Sequence, residues 1–164
     1  YNRSGRQISQ VFDNLDPLME FKPPFIDVTY HREETIYKRL DNGLLQEKVV
    51  RKRPGTVGIC AAIMNRYDTE TVPHVLCGGF SREETENLLI DLNFLGIENV
   101  VALRGDQAKH ESYFTPHKEG NAFAIDLVHQ IKDLNQGKYP DEELQNTTAT
   151  NFCSGVAGYP ERYF

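Results

Sequence analysis

The segment 71–106 constrains the fold more than any other part of the chain, because it holds two apolar stretches separated by a helix with a defined start. TVPHVLC at 71–77 and ENVVALRGD at 98–106 each predict a strand. Between them Ser81 and Glu84 form a capping-box pattern, and leucines follow at helical spacing. A strand, a helix and a second apolar strand in succession favour a right-handed βαβ unit with parallel strands.

The same alternation of helix-like and strand-like segments extends to both sides of this unit. Helices are predicted over 6–20 with a break or end at Pro17, over 32–40 before a DNG turn at 41–43, over 56–67 and over 122–137, and further strands over 25–30 and 151–161. A parallel sheet must be covered on both faces or closed into a barrel. The four strands therefore predict α/β architecture, as part of a larger (β/α) barrel or as a small doubly wound domain.

Composition limits the classes of function. The chain has 164 residues, 39% of them hydrophobic, and a net charge of -6, which argues against a protein that binds the backbone of nucleic acid. The basic run at 51–54 is short and reads as a solvated loop. The three cysteines form no CxxC pair, so neither a zinc site nor a disulfide framework is indicated. Since no apolar run is long enough for a membrane span, we expect a soluble cytoplasmic protein without membrane contact.

Polar side chains stand where each of the four predicted strands ends. In a parallel barrel or open sheet these ends meet at one edge, where active sites form. The residues concerned are Thr29 and Tyr30, His74 and Cys77, Arg104 and Asp106, and Tyr159 and Glu161. The chain has no glycine-rich nucleotide loop, so a nucleotide cofactor would be held by strand-end side chains and loop backbone.

Each of these residues also has a simpler interpretation. His74 can be a core histidine bonded to a backbone carbonyl, and Arg104 with Asp106 can form a structural ion pair. An adhesion role for the RGD tripeptide is disfavoured, because it ends a buried strand of an acidic chain. A metal site built from His74 and Asp106, with His31 or His110 from nearby loops, is the rival chemical interpretation, although we predict no metal.

At VTY, PHVLC, FLGIENVVALRGD and GVAGYPE the chain resembles the methylenetetrahydrofolate reductase family, from about residue 7 to residue 162. The resemblance implies a parallel (β/α)8 TIM barrel that holds FAD at its C-terminal mouth. It implies that NADH or NADPH reduces the flavin, which then passes a hydride to 5,10-methylenetetrahydrofolate to give 5-methyltetrahydrofolate. One site serving both substrates in turn would give ping-pong kinetics.

The resemblance also implies roles for individual residues. By motif, the cofactor would be bound by Thr29, Tyr30, His74, Arg104, Gly105, Asp106, Ala124 and Tyr159. Arg104 is a fixed cation suited to a phosphate, and a glycine at 105 lets backbone approach closely. Asp106 is the predicted catalytic residue, because a carboxylate beside the flavin disfavours negative charge there and can also bind the amine-rich pterin of the folate.

The chain departs from the family pattern in three places. The family's catalytic glutamate stands in an E-F-x-P-P pattern on the first barrel strand, but EFKPP with Glu20 leads directly into the strand at 25–30, so we interpret Glu20 as part of a helix-to-strand connection. Tyr163 stands where the family usually has a histidine. Strands six to eight, with an expected folate-binding glutamine on the sixth, have no counterpart.

Residues 1–164 are therefore expected to be a partial barrel catalytic domain that lacks the first strand and the last three. Half a barrel exposes open strand edges, so we expect it to form a homo-oligomer, bind FAD weakly and show no turnover by itself. Two alternatives to the reductase stay open. One is an inactive barrel fragment that serves as a binding or scaffolding module, and the other is a metal-dependent barrel lyase.

Overall fold

The computed structural model describes residues 8–30, 34–50, 54–107, 112–140, 144, 146–159 and 161. These residues form four helices and six strands. In chain order the elements are α1 (Ser9–Met19), β1 (Phe25–Val28), β2 (Glu34–Arg39), β3 (Leu45–Val50), α2 (Thr56–Arg66), β4 (Glu70–Leu76), α3 (Arg82–Phe94), β5 (Asn99–Leu103), α4 (Ala124–Leu134) and β6 (Cys153–Val156).

Four strands form one parallel sheet in the order β1-β4-β5-β6. The helices α2, α3 and α4 lie in the three connections between these strands, which confirms the predicted succession of βαβ units. Helix α3 begins as its sequence indicates, with the Ser81 hydroxyl accepting from the Glu84 amide and the Glu84 carboxylate accepting from the Ser81 amide. It ends before Gly96, whose φ of 74° is one that glycine adopts readily.

The predicted helix over 32–40 is wrong, since Glu34–Arg39 is a strand that pairs antiparallel with Leu45–Val50 in a separate two-stranded sheet. The DNG turn is the reason. Gly43 has a φ of 82°, and the Asn42 side chain accepts a hydrogen bond from the amide of Leu44. Asn-Gly between two short segments favours a hairpin, and the cross-strand hydrogen bonds then override the local helical pattern.

The two faces of the parallel sheet differ in burial. Residues on one face are fully buried against the helices: Val75, Cys77, Val100 and Ala102 from the strands, with Cys60, Ile63, Leu89, Leu92, Leu127, Ile131 and Leu134 from α2, α3 and α4. The alternate residues on the opposite face, among them His74, Leu76, Val101 and Leu103, are only half-buried. A doubly wound sheet is covered on both faces, so this one-sided cover is the arrangement expected of part of a (β/α) barrel.

Asn135 joins the end of α4 to the start of β6. Its side-chain oxygen accepts from the Thr150 hydroxyl at 2.7 Å and from the Phe152 amide at 2.8 Å, and its side-chain nitrogen donates to the Phe152 carbonyl at 2.8 Å. Thr150 and Phe152 are buried. One amide side chain thus satisfies three polar groups that would otherwise lose hydrogen bonds on burial.

Helix α1 is held to α2 by a polar cluster at the surface. Arg66 forms an ion pair with Asp16 at 3.0 Å and lies over the ring of Phe12, and the Tyr67 hydroxyl also donates to Asp16. These hydrogen bonds, from Tyr67 first and then Arg66, lower the pKa of Asp16.

Glu20 lies just after α1, in the connection to β1, where the sequence analysis placed it. Among the described residues no helix is long and apolar enough to cross a membrane.

The cysteines give a testable contrast in reactivity. Burial raises the pKa of both Cys60 and Cys77 to about 11, whereas Cys153 is exposed. A thiol with that pKa is ionised to about one part in ten thousand at neutral pH, and the thiolate is the reactive form. We expect a thiol reagent such as Ellman's to modify Cys153 quickly in the folded protein, and Cys60 and Cys77 only after unfolding.

Replacing Cys153 with serine is the control, and it should remove the fast phase while leaving the two slow thiols. Fast modification of Cys60 or Cys77 in the folded protein would contradict the packing described above.

Candidate functional site

The carboxyl ends of β1, β4, β5 and β6 share one edge of the sheet because the four strands are parallel. The sequence-predicted site residues stand at or beyond this edge. Thr29 and Tyr30 follow β1, His74 lies within β4, Arg104, Gly105 and Asp106 follow β5, Ala124 begins α4, and Tyr159 lies three residues beyond β6.

The pairing of β4 with β5 continues past the ends of both strands. The Cys77 amide donates to the Leu103 carbonyl at 3.0 Å, and the Gly78 amide donates to the Arg104 carbonyl at 3.1 Å. The backbone of Arg104 is therefore fixed although its side chain is exposed. At the next position Gly105 has a φ of 82°, which strains any residue with a Cβ. The turn after β5 thus needs glycine.

His74 lies on the half-buried face of the sheet, opposite the face that the helices cover, and pairs with Val101 of β5. Val28, the last residue of β1, pairs with Pro73. Thr29 therefore follows at the level of His74. The His74 side chain lies outside the core that the helices cover. It is therefore not a fully buried core histidine, which was the simpler interpretation of this residue.

Tyr30 packs edge-on against Phe80, a residue of the loop that follows β4. The two ring centroids are 5.2 Å apart and the rings are nearly perpendicular, at 87°. This is a favoured geometry for an aromatic pair. It joins the loop after β1 to the loop after β4.

Arg104 lies over the ring of Phe114, with its guanidinium carbon 4.9 Å from the ring centroid. Both residues line an open pocket of about 480 Å³, together with Ala122 and Phe123 from the segment before α4. Ala124 follows Phe123 directly and is half-buried. In the part of the chain that the structure describes, the pocket thus combines the permanent cation of Arg104 with aromatic and small apolar side chains.

A buried polar chain holds the loop before α4 in place. The Asn121 side chain donates to Gln130 at 2.7 Å, and Gln130 donates to the Arg82 carbonyl at the start of α3 at 2.7 Å. The Arg82 amide in turn donates to the Glu119 carbonyl at 2.9 Å. The side chains of Asn121 and Gln130 are almost fully buried. The wall of the pocket is therefore tied to the helical layer.

The start of α4 is capped by its own residue Asp126. The Asp126 carboxylate accepts from the amides of Phe123 at 2.9 Å and Ala122 at 3.2 Å. This carboxylate lies where the positive end of the helix dipole would attract an anion. Of the described residues around this pocket, Arg104 and not the start of α4 therefore offers positive charge to a ligand.

Asp106 and Tyr159 are both exposed at the same edge, and neither lines the pocket. His31, His110 and Tyr163 lie outside the described residues. Among the residues that the structure describes, no three or more His, Cys, Asp or Glu side chains come together as metal ligands would.

Three residues at the site were not found from the sequence: Phe80, Phe114 and Gly120. The two phenylalanines contact the motif residues Tyr30 and Arg104 across loops, and no local pattern indicates such contacts. Gly120 faces backbone, since a Cβ there would come within 2.2 Å of the Phe80 carbonyl oxygen. The aromatic residues within the polar loops GGF and SYFTP were the available signal.

Comparison with known proteins gives one family. The model for methylenetetrahydrofolate reductase matches residues 3–164. Methylenetetrahydrofolate reductase 1 of Schizosaccharomyces pombe is 29% identical over 162 residues, which cover 98% of this chain and 22% of the relative. Methylenetetrahydrofolate reductase (NADH) 1 of Arabidopsis thaliana is 28% identical over 156 residues, covering 95% of this chain and 22% of the relative.

A bacterial relative is similar to the same extent. The 5,10-methylenetetrahydrofolate reductase of Pectobacterium carotovorum is 28% identical over 161 residues, covering 97% of this chain and 41% of the relative. The chain thus spans between about a fifth and two fifths of the length of these curated relatives.

The close approach of Gly120 to Phe80 predicts a strong effect of a single methyl group. Gly120→Ala should lower the free energy of unfolding by about 1–3 kcal/mol, because a backbone carbonyl cannot yield as a side-chain tip does. Gly58→Ala is the matched control. Gly58 lies in α2 with no atom within 4 Å of its Cβ position, and alanine there should add up to about 1 kcal/mol.

Urea unfolding at equilibrium measures both variants. If Gly120→Ala is as stable as the unsubstituted protein, the two loops do not pack as described.

Proposed function

The chain belongs to the methylenetetrahydrofolate reductase family, and from this membership we propose that it is part of a flavoprotein that reduces 5,10-methylenetetrahydrofolate to 5-methyltetrahydrofolate. The observation that carries the proposal is the match of the family model over nearly the whole chain, with the family's strand-end motifs at one edge of a parallel sheet. Residues 1–164 are then a portion of the barrel catalytic domain, and we place the enzyme in the cytoplasm.

The residues at the C-terminal edge fit a dinucleotide such as FAD. FAD carries a diphosphate, an adenine ring and an isoalloxazine ring, so its site needs a cation and flat apolar walls. The pocket supplies Arg104 as the cation, with the ring of Phe123 and the side chain of Ala122 as an apolar wall. Such a pocket supports the cofactor that the family membership implies.

We assign the residues of this edge by the family motifs. Arg104 would hold the diphosphate, Gly105 would let the backbone come close to the cofactor, and Ala124 would lie along the adenosine. Thr29, Tyr30 and His74 would lie beside the ring system, with Tyr159 bordering it from β6. Their placement at one edge supports the assignment, since a cofactor bound there reaches residues that follow four different strands.

Bound FAD supplies a centre that accepts a hydride and gives it up again. Such a centre would take a hydride from NADH or NADPH and pass it to the folate, and one site used by both in turn would give ping-pong kinetics. The exposed carboxylate of Asp106 would bind the amine-rich pterin and disfavour negative charge beside the cofactor. Both effects favour transfer of the hydride to the folate.

The activity is tested on the longest natural form of the protein that contains this chain. The purified protein should be yellow, with flavin absorption bands that bleach when NADH or NADPH is added. Addition of 5,10-methylenetetrahydrofolate should restore the bands and form 5-methyltetrahydrofolate. A colourless protein that binds no added FAD would refute the proposal.

The role of Asp106 is tested separately by Asp106→Asn. Loss of the charge should raise the midpoint potential of the flavin by on the order of 30 mV, which is 1.4 kcal/mol for a two-electron couple, and slow the folate half-reaction about tenfold. Rapid-mixing kinetics of each half-reaction and redox titration measure these effects.

Asp91→Asn is the control, because Asp91 is an exposed carboxylate on α3, away from this edge. An unchanged potential together with an unchanged folate half-reaction in Asp106→Asn would show that Asp106 has neither role.

A further inference from the structure

We propose that Phe114 is a positioning residue, which holds the Arg104 guanidinium in place for the diphosphate of FAD. This inference rests on the proposed function and adds to it a residue that lies outside the family motifs quoted in the sequence analysis. It concerns the binding of the cofactor and not the transfer of the hydride.

The contact joins an anchored ring to an exposed charge. Phe114 is half-buried and packs against the hydrophobic core, whereas the side chain of Arg104 is exposed. The guanidinium carbon is 4.9 Å from the ring centroid, within the range of a cation–π interaction. The ring therefore limits where the guanidinium can lie, although water surrounds much of it.

This type of contact leaves the arginine able to bind an anion. The Arg104 Nε donates to the Gly105 carbonyl at 3.5 Å, and the cation–π interaction itself places no oxygen acceptor on the remaining N–H donors. An oxygen anion can then be bound by two parallel hydrogen bonds. A carboxylate partner would occupy the same donors and compete with the ligand.

Prior ordering of the side chain has an energetic consequence for binding. An exposed arginine has several freely rotating bonds, and immobilising such a side chain on association opposes binding. Where the free protein already restricts the rotations, less of this entropy is lost when the phosphate arrives. Phe114 thus contributes to affinity for an anionic ligand without touching the anion.

The surroundings of the contact indicate which anion is bound. Arg104 and Phe114 line the same pocket as Ala122 and Phe123, so a phosphate at Arg104 lies next to a surface suited to a flat ring. The loop that carries Phe114 is tied to α3 through the hydrogen bond from Arg82 to Glu119. The Phe114 ring itself packs against the hydrophobic core, as a positioning role requires.

The test compares Phe114→Leu, which removes the aromatic face, with Phe114→Tyr, which keeps it. Binding of FAD to the flavin-free protein is followed by quenching of flavin fluorescence, with riboflavin as a ligand that lacks phosphate. Phe114→Leu should weaken FAD binding about two- to fivefold and leave riboflavin binding unchanged. This fold-change corresponds to the free energy of an exposed cation–π contact. Phe114→Tyr should restore FAD binding.

Phe94→Leu is the matched control, because it makes the same chemical change away from the pocket. Phe94 lies on α3 and is 88% exposed. A double-mutant cycle completes the test. In an Arg104→Gln background, Phe114→Leu should have no further effect on FAD binding, because the charge on which it acts is gone.

The outcomes separate the inference from the proposed function. If the unsubstituted protein binds no FAD, the proposed function fails and this inference fails with it. If it binds FAD and Phe114→Leu binds as tightly, or loses FAD and riboflavin equally, the inference alone is wrong. Weakened binding of NADH with unchanged binding of FAD would also overturn it, since the diphosphate at Arg104 would then belong to the electron donor.

Discussion

The rest of the structure depends on the parallel pairing of β4 with β5, which continues beyond both strands through Cys77 and Gly78. Parallel strands need a long crossover, and here α3 forms it with a defined start and end. Because the two strands run in the same direction, their polar ends meet at one edge. The same hydrogen bonds fix the backbone of Arg104, so the pairing that builds the sheet also positions a residue of the site.

The sequence predicted most of the parallel sheet and little of the hairpin. Strands β4 and β5 are mostly apolar and are separated by the capped helix α3, so their local pattern and their tertiary role agree. The segment Glu34–Arg39 is polar and short, and its conformation is set by a partner strand that begins six residues later. Local composition does not record that partner, and the turn Asn42-Gly43 was the one sign of it.

A similar division applies to the candidate site. Motif residues could be located from the sequence because strand ends are predictable and parallel strands gather them at one edge. Phe80 and Phe114 could not, since they act through contacts with Tyr30 and Arg104 that only the folded loops create. The requirement for glycine at 120 likewise depends on a carbonyl forty residues away in the chain.

The hydrogen bonds of Asn135 lie at the opposite edge of the sheet, where α4 ends and β6 begins. These hydrogen bonds and the candidate functional site thus lie at different ends of the same strands. Because of this separation, substitutions at one edge need not alter the contacts at the other. Loops at the edge of the candidate site can then change in length and chemistry while the Asn135 contacts at the other edge stay the same.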